Sequence, residues 1–169
     1  MKTLITISGP SGAGKSALLE GMTEWMMERG VGFNHIPSFT TREPRGDEVE
    51  GQPYIFVSEQ FLRDCSTVAD VIEIDEYKGH TYGTFTSSLE DAPGMCGKLI
   101  TLPGLEQLLE VIPRHRVITV RIMLDRSELV ERLRGRGESE EFIAERLADV
   151  PENGTEWGVG FSHRWDVSF

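Results

Sequence analysis

The chain has 169 residues, a hydrophobic share of 38% and a formal net charge of −11 at pH 7. That length suits one domain, and no apolar run approaches the ~18–20 residues that a membrane-spanning helix needs. The acidic balance argues against a general nucleic-acid surface, and the expected partners are small molecules, with neither nucleic acid nor membrane.

The N-terminus lacks the long apolar segment of a signal peptide. Cys65 and Cys96 form no C-x-x-C pair and suit a reducing, cytoplasmic compartment. His35, His80, His115 and His163 are scattered without metal-ligand spacing. Leu4, Ile5 and Ile7 predict a short strand that stops at Gly9. Residues 16–29 predict a helix ended by Gly30, with Leu18, Met22, Trp25 and Met26 recurring at helical spacing as a core-facing stripe. Residues 31–51 lose helical periodicity and read as a strand followed by a loop.

"YIFVS" (54–58) predicts a strand and "SEQFLRDC" (58–65) a short helix begun by Ser58. "VADVIEI" (68–74) and "HTYGTF" (80–85) are strand-like, "TSSLEDA" (86–92) is a short helix, and "PGMCG" (93–97) is a break. "KLITL" (98–102) predicts an apolar strand and "GLEQLLEVI" (104–112) a helix broken by Pro113. "RVITVRIML" (116–124) reads as a buried strand, and "SELVERLRGRG" and "SEEFIAERLADV" as helices joined at Gly137. The outer segments alternate strand and helix, which predicts an α/β fold with a parallel sheet and right-handed crossovers. The strand-rich middle, about 34–86, breaks that rhythm and predicts an inserted lobe.

Between the first strand and helix, Gly9 to Ser16 reads G-P-S-G-A-G-K-S, the P-loop pattern G-x-x-x-x-G-K-[ST]. Glycines let backbone N–H groups converge on an anion, and the following helix aims its positive end at the same point. Lys15 would reach the β- and γ-phosphates, and the Ser16 hydroxyl would bind Mg²⁺. Residues 12–17 also fit the dinucleotide fingerprint G-x-G-x-x-A. That motif wants an acid about 20 residues later, where "VGFNH" has none.

Arg42 and Arg45 lie in a Gly/Pro-bearing loop among hydroxyls, and arginine forks suit phosphate oxygens. Tyr54 and Tyr82 add hydroxyl donors. Glu73 lies in an otherwise apolar strand, and its carboxylate suits the paired N1–H and N2–H₂ donors of guanine. Each has an ordinary alternative: a solvated loop for the arginines, a salt-bridged strand residue for Glu73. Arg132 and Arg136 share one helical face near a glycine, and Arg146 follows on the next helix. Surface ion pairing with Glu131, Glu138 and Glu145 is the ordinary reading there.

The motifs "GPSGAGKS", "SFTTREPR" with "EVEGQPYIFV", "IE" with "YKGHTYGT", and "RLRGRG" keep the order and approximate spacing found in guanylate kinases, which the chain resembles over about residues 3–149. The resemblance implies a P-loop sheet flanked by helices, with an inserted nucleoside-monophosphate-binding lobe and a helical lid. It divides the chain into a core (1–33 and 87–130), a GMP-binding lobe (34–86), a lid (131–149) and a short C-terminal segment (150–169). It implies ATP binding by Gly9, Ser11, Gly12, Ala13, Gly14, Lys15 and Ser16. It implies GMP binding by Ser38, Arg42, Arg45, Tyr54, Glu73, Tyr82 and Thr84: Arg42, Arg45 and Tyr54 on the phosphate; Ser38, Glu73 and Thr84 on the base. Lys15, Arg132, Arg136 and Arg146 become the catalytic set, with Mg²⁺ on Ser16. The implied reaction is ATP-dependent phosphorylation of GMP or dGMP. A phage-type deoxynucleotide kinase, a ribose bisphosphate kinase and a phosphopeptide-binding module share the fold, but the intact P-loop and "SFTTREPR" favour the GMP reading.

Two departures stand out. The family's acid-bearing strand is here "KLITLPG", with Leu99, Thr101 and Pro103, so Asp75, on the same strand face as Glu73, is a candidate replacement carboxylate. The C-terminal "PENGTEWGVGFSHRWDVSF" is short and glycine-rich and lacks the asparagine that meets adenine, which implies altered donor recognition; "WDVSF" reads as a last strand cut short.

Overall fold

The computed structural model describes residues 2–44, 48–51, 53–64, 71–92, 94–148, 150 and 165–169. The main sheet has five strands in the order β2-β7-β1-β8-β9: β2 Phe33–His35, β7 Met95–Leu99, β1 Thr3–Ser8, β8 Val117–Arg121 and β9 Val167–Ser168. Every pairing in it is parallel. Parallel strands are covered on both faces, which is why β1 is buried from Leu4 to Ser8. Alternate residues serve opposite faces. Ile5 and Ile7 pack with Leu19 of helix α1 (Lys15–Glu28) and with Leu129, Leu133, Ile143 and Leu147 of α5 (Arg126–Gly135) and α6 (Glu140–Leu147). Leu4 packs with Cys96, Val117 and Leu105, Leu108 and Leu109 of α4 (Leu102–Val111).

The second sheet has the order β4-β3-β6-β5: β4 Tyr54–Phe56, β3 Ser38–Thr40, β6 His80–Phe85 and β5 Val71–Tyr77. It carries the short helices α2 (Glu59–Asp64) and α3 (Thr86–Glu90). Strand β3 runs parallel to β4 and antiparallel to β6, which is antiparallel to β5. This is the strand-rich insertion expected between the α/β segments. It is fastened to the rest through Gln107 of α4, whose side-chain amide exchanges hydrogen bonds with the backbone of Ile74 on β5, at 3.1 and 2.8 Å.

Four expectations need correction. The expected strand at 98–102 begins earlier: Met95 to Leu99 pair with Thr3 to Ile7, so the stretch taken as a break is the first half of β7. Thr101 does not extend the strand but caps α4, its hydroxyl accepting from the Gly104 N–H at 3.2 Å. The α1 stripe faces the core only in part: Leu18, Met22 and Met26 are partly buried and pack against it beside the buried Leu19, whereas Trp25 is 52% exposed. The described residues of 31–51 hold two strands, not one. Ile36 donates to the Gly97 carbonyl at 2.9 Å, closing β2 against the main sheet before Pro37 turns the chain into β3 of the second. Finally, β8 is shorter than the apolar run suggests and leaves Ile118 37% exposed.

Candidate active site

Strand β1 delivers the chain into the Gly9–Ser16 loop. Gly12 and Gly14 adopt φ of +91° and +98°, a region closed to most residues with a Cβ. Gly14 caps α1 without a side-chain hydrogen bond, so the first-turn N–H groups stay available to an anion. Lys15 folds back over the loop and donates to the carbonyls of Gly9 and Pro10, both at 2.9 Å. Burial, and then the nearby Arg146 charge, lower its pKa to about 8. Ser16 is exposed in the first turn. Ser11 accepts from Arg146 Nη1 at 2.6 Å, and the Ala13 carbonyl accepts from Arg132 Nη1 at 3.2 Å. Helices α5 and α6 therefore bring two of the three expected arginines onto the loop. The third, Arg136, caps the C-terminus of α5 and is exposed. The neighbouring Arg134, not among the candidates, grips Glu140 with two bonds of 2.6 and 2.9 Å, while Glu145 pairs with Lys78 at 2.7 Å. Arg146 also pairs with Glu138 at 3.5 Å.

In the second sheet, Glu73 on β5 stands opposite Thr84 on β6. The Thr84 hydroxyl donates a short hydrogen bond to Glu73 Oε1. Ser38 opens β3. Arg42 is buried and already engaged: Nη2 meets Glu48 Oε1 at 2.9 Å, and Nη1 donates to the Glu43 carbonyl at 2.7 Å. Its guanidinium lies 5.2 Å from the ring centre of Tyr54, whose ring in turn meets Tyr82 edge-on at 5.9 Å. Thus Glu73 and Thr84 form one polar group, to which Lys98 of β7 links Ser38, and Arg42, Tyr54 and Tyr82 form another. Arg45 lies outside the described residues, as does the segment 151–164. Asp75 accepts from the Glu76 N–H at 2.9 Å. Among the described residues no cluster of three His, Cys, Asp or Glu could hold a metal.

Sequence reasoning missed Lys98. It projects from β7 of the main sheet and is 1% exposed. Its Nζ donates to Ser38 Oγ at 2.8 Å and lies 3.6 Å from Glu73 Oε1. The available signal was a lysine inside an apolar strand run, which demands a buried partner; the partner, Glu73, stood 25 residues earlier in another sheet.

A P-loop at the end of a central parallel strand, with arginines docked on it and a second, polar site on an inserted sheet, defines a nucleotide phosphotransferase. The guanylate kinase family model matches residues 1–157. The chain is 37% identical to guanylate kinase of Escherichia coli K12 over 154 residues, which are 88% of this chain and 72% of that one. It is 38% identical to guanylate kinase of Salmonella typhi with the same coverage. The crystal structure of guanylate kinase from Anaplasma phagocytophilum superposes with a TM-score of 0.63 at 27% identity, covering 99% of this chain and 76% of that one. The chain belongs to the guanylate kinase family, the nucleoside monophosphate kinases of this fold.

Proposed function

We propose that the protein transfers the γ-phosphoryl group of ATP to GMP or dGMP, with the P-loop as donor site and the second sheet (within 34–86) as acceptor site. The observation that carries the base assignment is the group Ser38, Glu73 and Thr84: a buried carboxylate flanked by two hydroxyls. Such a group matches guanine's N1–H and N2–H₂ and mismatches adenine, whose N1 is an acceptor. Arg42, Arg45, Tyr54 and Tyr82 would hold the acceptor phosphate, Arg42 exchanging Glu48 for phosphate oxygens.

At the donor site, Lys15 would leave the Gly9 and Pro10 carbonyls for the β- and γ-phosphates. Arg132 and Arg146 already touch the loop, and among the described residues the buried Nε of Arg146 has no acceptor. That donor suits a phosphate oxygen. The exposed Ser16 hydroxyl is a hard oxygen donor fit for Mg²⁺, which takes most of its remaining ligands from water and nucleotide phosphates; the ion supplies charge neutralisation on the transferring group. The chain's own contribution is to position two nucleotides, to neutralise charge and, through a lid of α5 and α6 (131–149) over the loop, to keep water from acting as acceptor. Arginines in this role are worth ~10³–10⁵ in rate in related chemistry. Coupled ADP-release assays with GMP, dGMP, AMP, dTMP and ribose bisphosphate test the reading. GMP or dGMP should give the highest kcat/KM; a preference for AMP, dTMP or the sugar phosphate would overturn it.

A further inference from the structure

We propose that Lys98 is a positioning residue for base selection, biasing Ser38 to donate a hydrogen bond beside the acceptors Glu73 and Thr84, so that the pocket favours 6-oxo purines. The inference rests on the reading of this group as the acceptor-base site.

The argument is one of hydrogen-bond polarity. A hydroxyl can donate one bond and accept two, so Ser38 and Thr84 by themselves do not distinguish an oxo group from an amino group. An ammonium only donates. Lys98 Nζ donates to Ser38 Oγ at 2.8 Å, which fills one of that oxygen's two acceptor positions and turns its own hydrogen away from the ammonium, biasing Ser38 toward donating. No described residue accepts that hydrogen, and a base carbonyl such as purine O6 would. Thr84 is fixed in the opposite sense: its hydrogen is spent on Glu73 Oε1, and its lone pairs remain. Glu73 only accepts while ionised. The resulting order of donor, acceptor, acceptor is the complement of guanine's O6, N1–H and N2–H₂. Adenine offers an amino group and a bare N1 instead.

The surroundings act on this ammonium in opposite senses. Burial lowers the Lys98 pKa, and Glu73 at 3.6 Å opposes the shift by favouring the ammonium. The other titratable group close by, His35 on β2, stays neutral: burial and the Lys98 charge lower its pKa to about 4. The first turn of α4, which abuts Glu73 at Gly104, carries no acidic group. A lysine is a costly way to fill buried space. Here its head group, carried by the main sheet, contacts two of the three base-site side chains of the second sheet.

The test is acceptor kinetics with GMP, IMP and AMP on the wild type, Lys98→Met, Ser38→Ala and the double variant, with KM for ATP measured in parallel. Lys98→Met should raise KM for GMP and IMP at least tenfold, leave KM for AMP and for ATP within about threefold, and leave kcat for GMP nearly unchanged. Because Lys98 acts through Ser38, adding Lys98→Met to Ser38→Ala should cost less than the product of the two single effects. Lys98→Met leaves the Glu73 carboxylate unpaired, so Lys98→Met/Glu73→Gln, a neutral pair, guards against loss of the fold. It should melt near the wild type and select more poorly between GMP and AMP than Glu73→Gln alone. Unchanged GMP-to-AMP selectivity in Lys98→Met, or equal selectivity in the neutral pair and in Glu73→Gln, would overturn the role of Lys98. A wild type that does not phosphorylate GMP would instead overturn the functional reading beneath it.

Discussion

Lys15 shows how a single residue can be held by contacts that the proposed phosphate ligand would have to break. Its ammonium sits between two loop carbonyls in a buried setting, and its pKa falls to about 8. The charged form binds phosphate; the neutral amine does not offer the same attraction. Since kcat/KM reports ionisations of the free enzyme, kcat/KM for ATP should be flat below about pH 8 and fall up to tenfold per pH unit above it. Lys15→Arg, with a group that stays protonated, should abolish that limb even if its absolute activity is low. A wild-type profile flat to pH 9.5 would place Lys15 outside the ionising set. The sequence made Lys15 legible because P-loop chemistry is local: glycines, lysine and serine lie within eight residues. Lys98 was illegible for the opposite reason. Its meaning comes from Ser38 and Glu73, which only the packing of two sheets brings to it.

Helix α4 illustrates the same contrast at the scale of an element. Its N-terminus was misread because "KLITL" is apolar throughout, and apolarity hides where a buried strand hands over to a buried helix. Thr101 and Pro103 carried the true signal, a capping hydroxyl followed by proline in the first turn. The consequence reaches the proposed base site. A Cβ at Gly104 would lie 2.6 Å from Glu73 Oε2, too close for any real contact, so this helix end sets how far the carboxylate can retreat. Gly104→Ala should displace Glu73, raising KM for GMP by tenfold or more with KM for ATP unchanged. Thr101→Val, which removes only the cap, should cost about 1 kcal/mol of stability and leave the ratio of GMP to AMP turnover intact. Urea denaturation and the acceptor assay separate the two. If both variants lost stability alike and kept their GMP kinetics, the contact between α4 and Glu73 would have no bearing on the base.

The architecture as a whole was legible from rhythm. Alternating strands and helices gave the parallel sheet, and the break in that alternation gave the second one. Which strands neighbour each other was not, because β2 and β9 join the main sheet through pairings distant in sequence. Those distant joints make a prediction about acid stability. At one edge, Asp166 ties β9 down by accepting from the Thr119 N–H at 2.7 Å, the Thr119 hydroxyl at 2.9 Å and Arg114 at 2.8 Å. Burial alone would raise its carboxyl pKa, but the Thr119 and Arg114 donors outweigh it and hold it below the usual 3.8. At the other edge, His35 on β2 has its pKa lowered from 6.5 to about 4. Both groups bind fewer protons folded than unfolded, so stability falls as pH falls. For His35 the loss runs from about pH 6.5 down to about 4. For Asp166 it lies below about pH 4, as the carboxyl is protonated. His35 is only partly buried, and screening reduces its share to on the order of 2 kcal/mol. Urea midpoints of the wild type should therefore decline between pH 6.5 and 4.5, before most carboxylates titrate. His35→Gln should flatten that stretch, whereas Asp166→Asn should keep it and lower the unfolding free energy at pH 7 by about 1 kcal/mol. Parallel declines of wild type and His35→Gln over that range would show that His35 accepts its proton without cost to the fold.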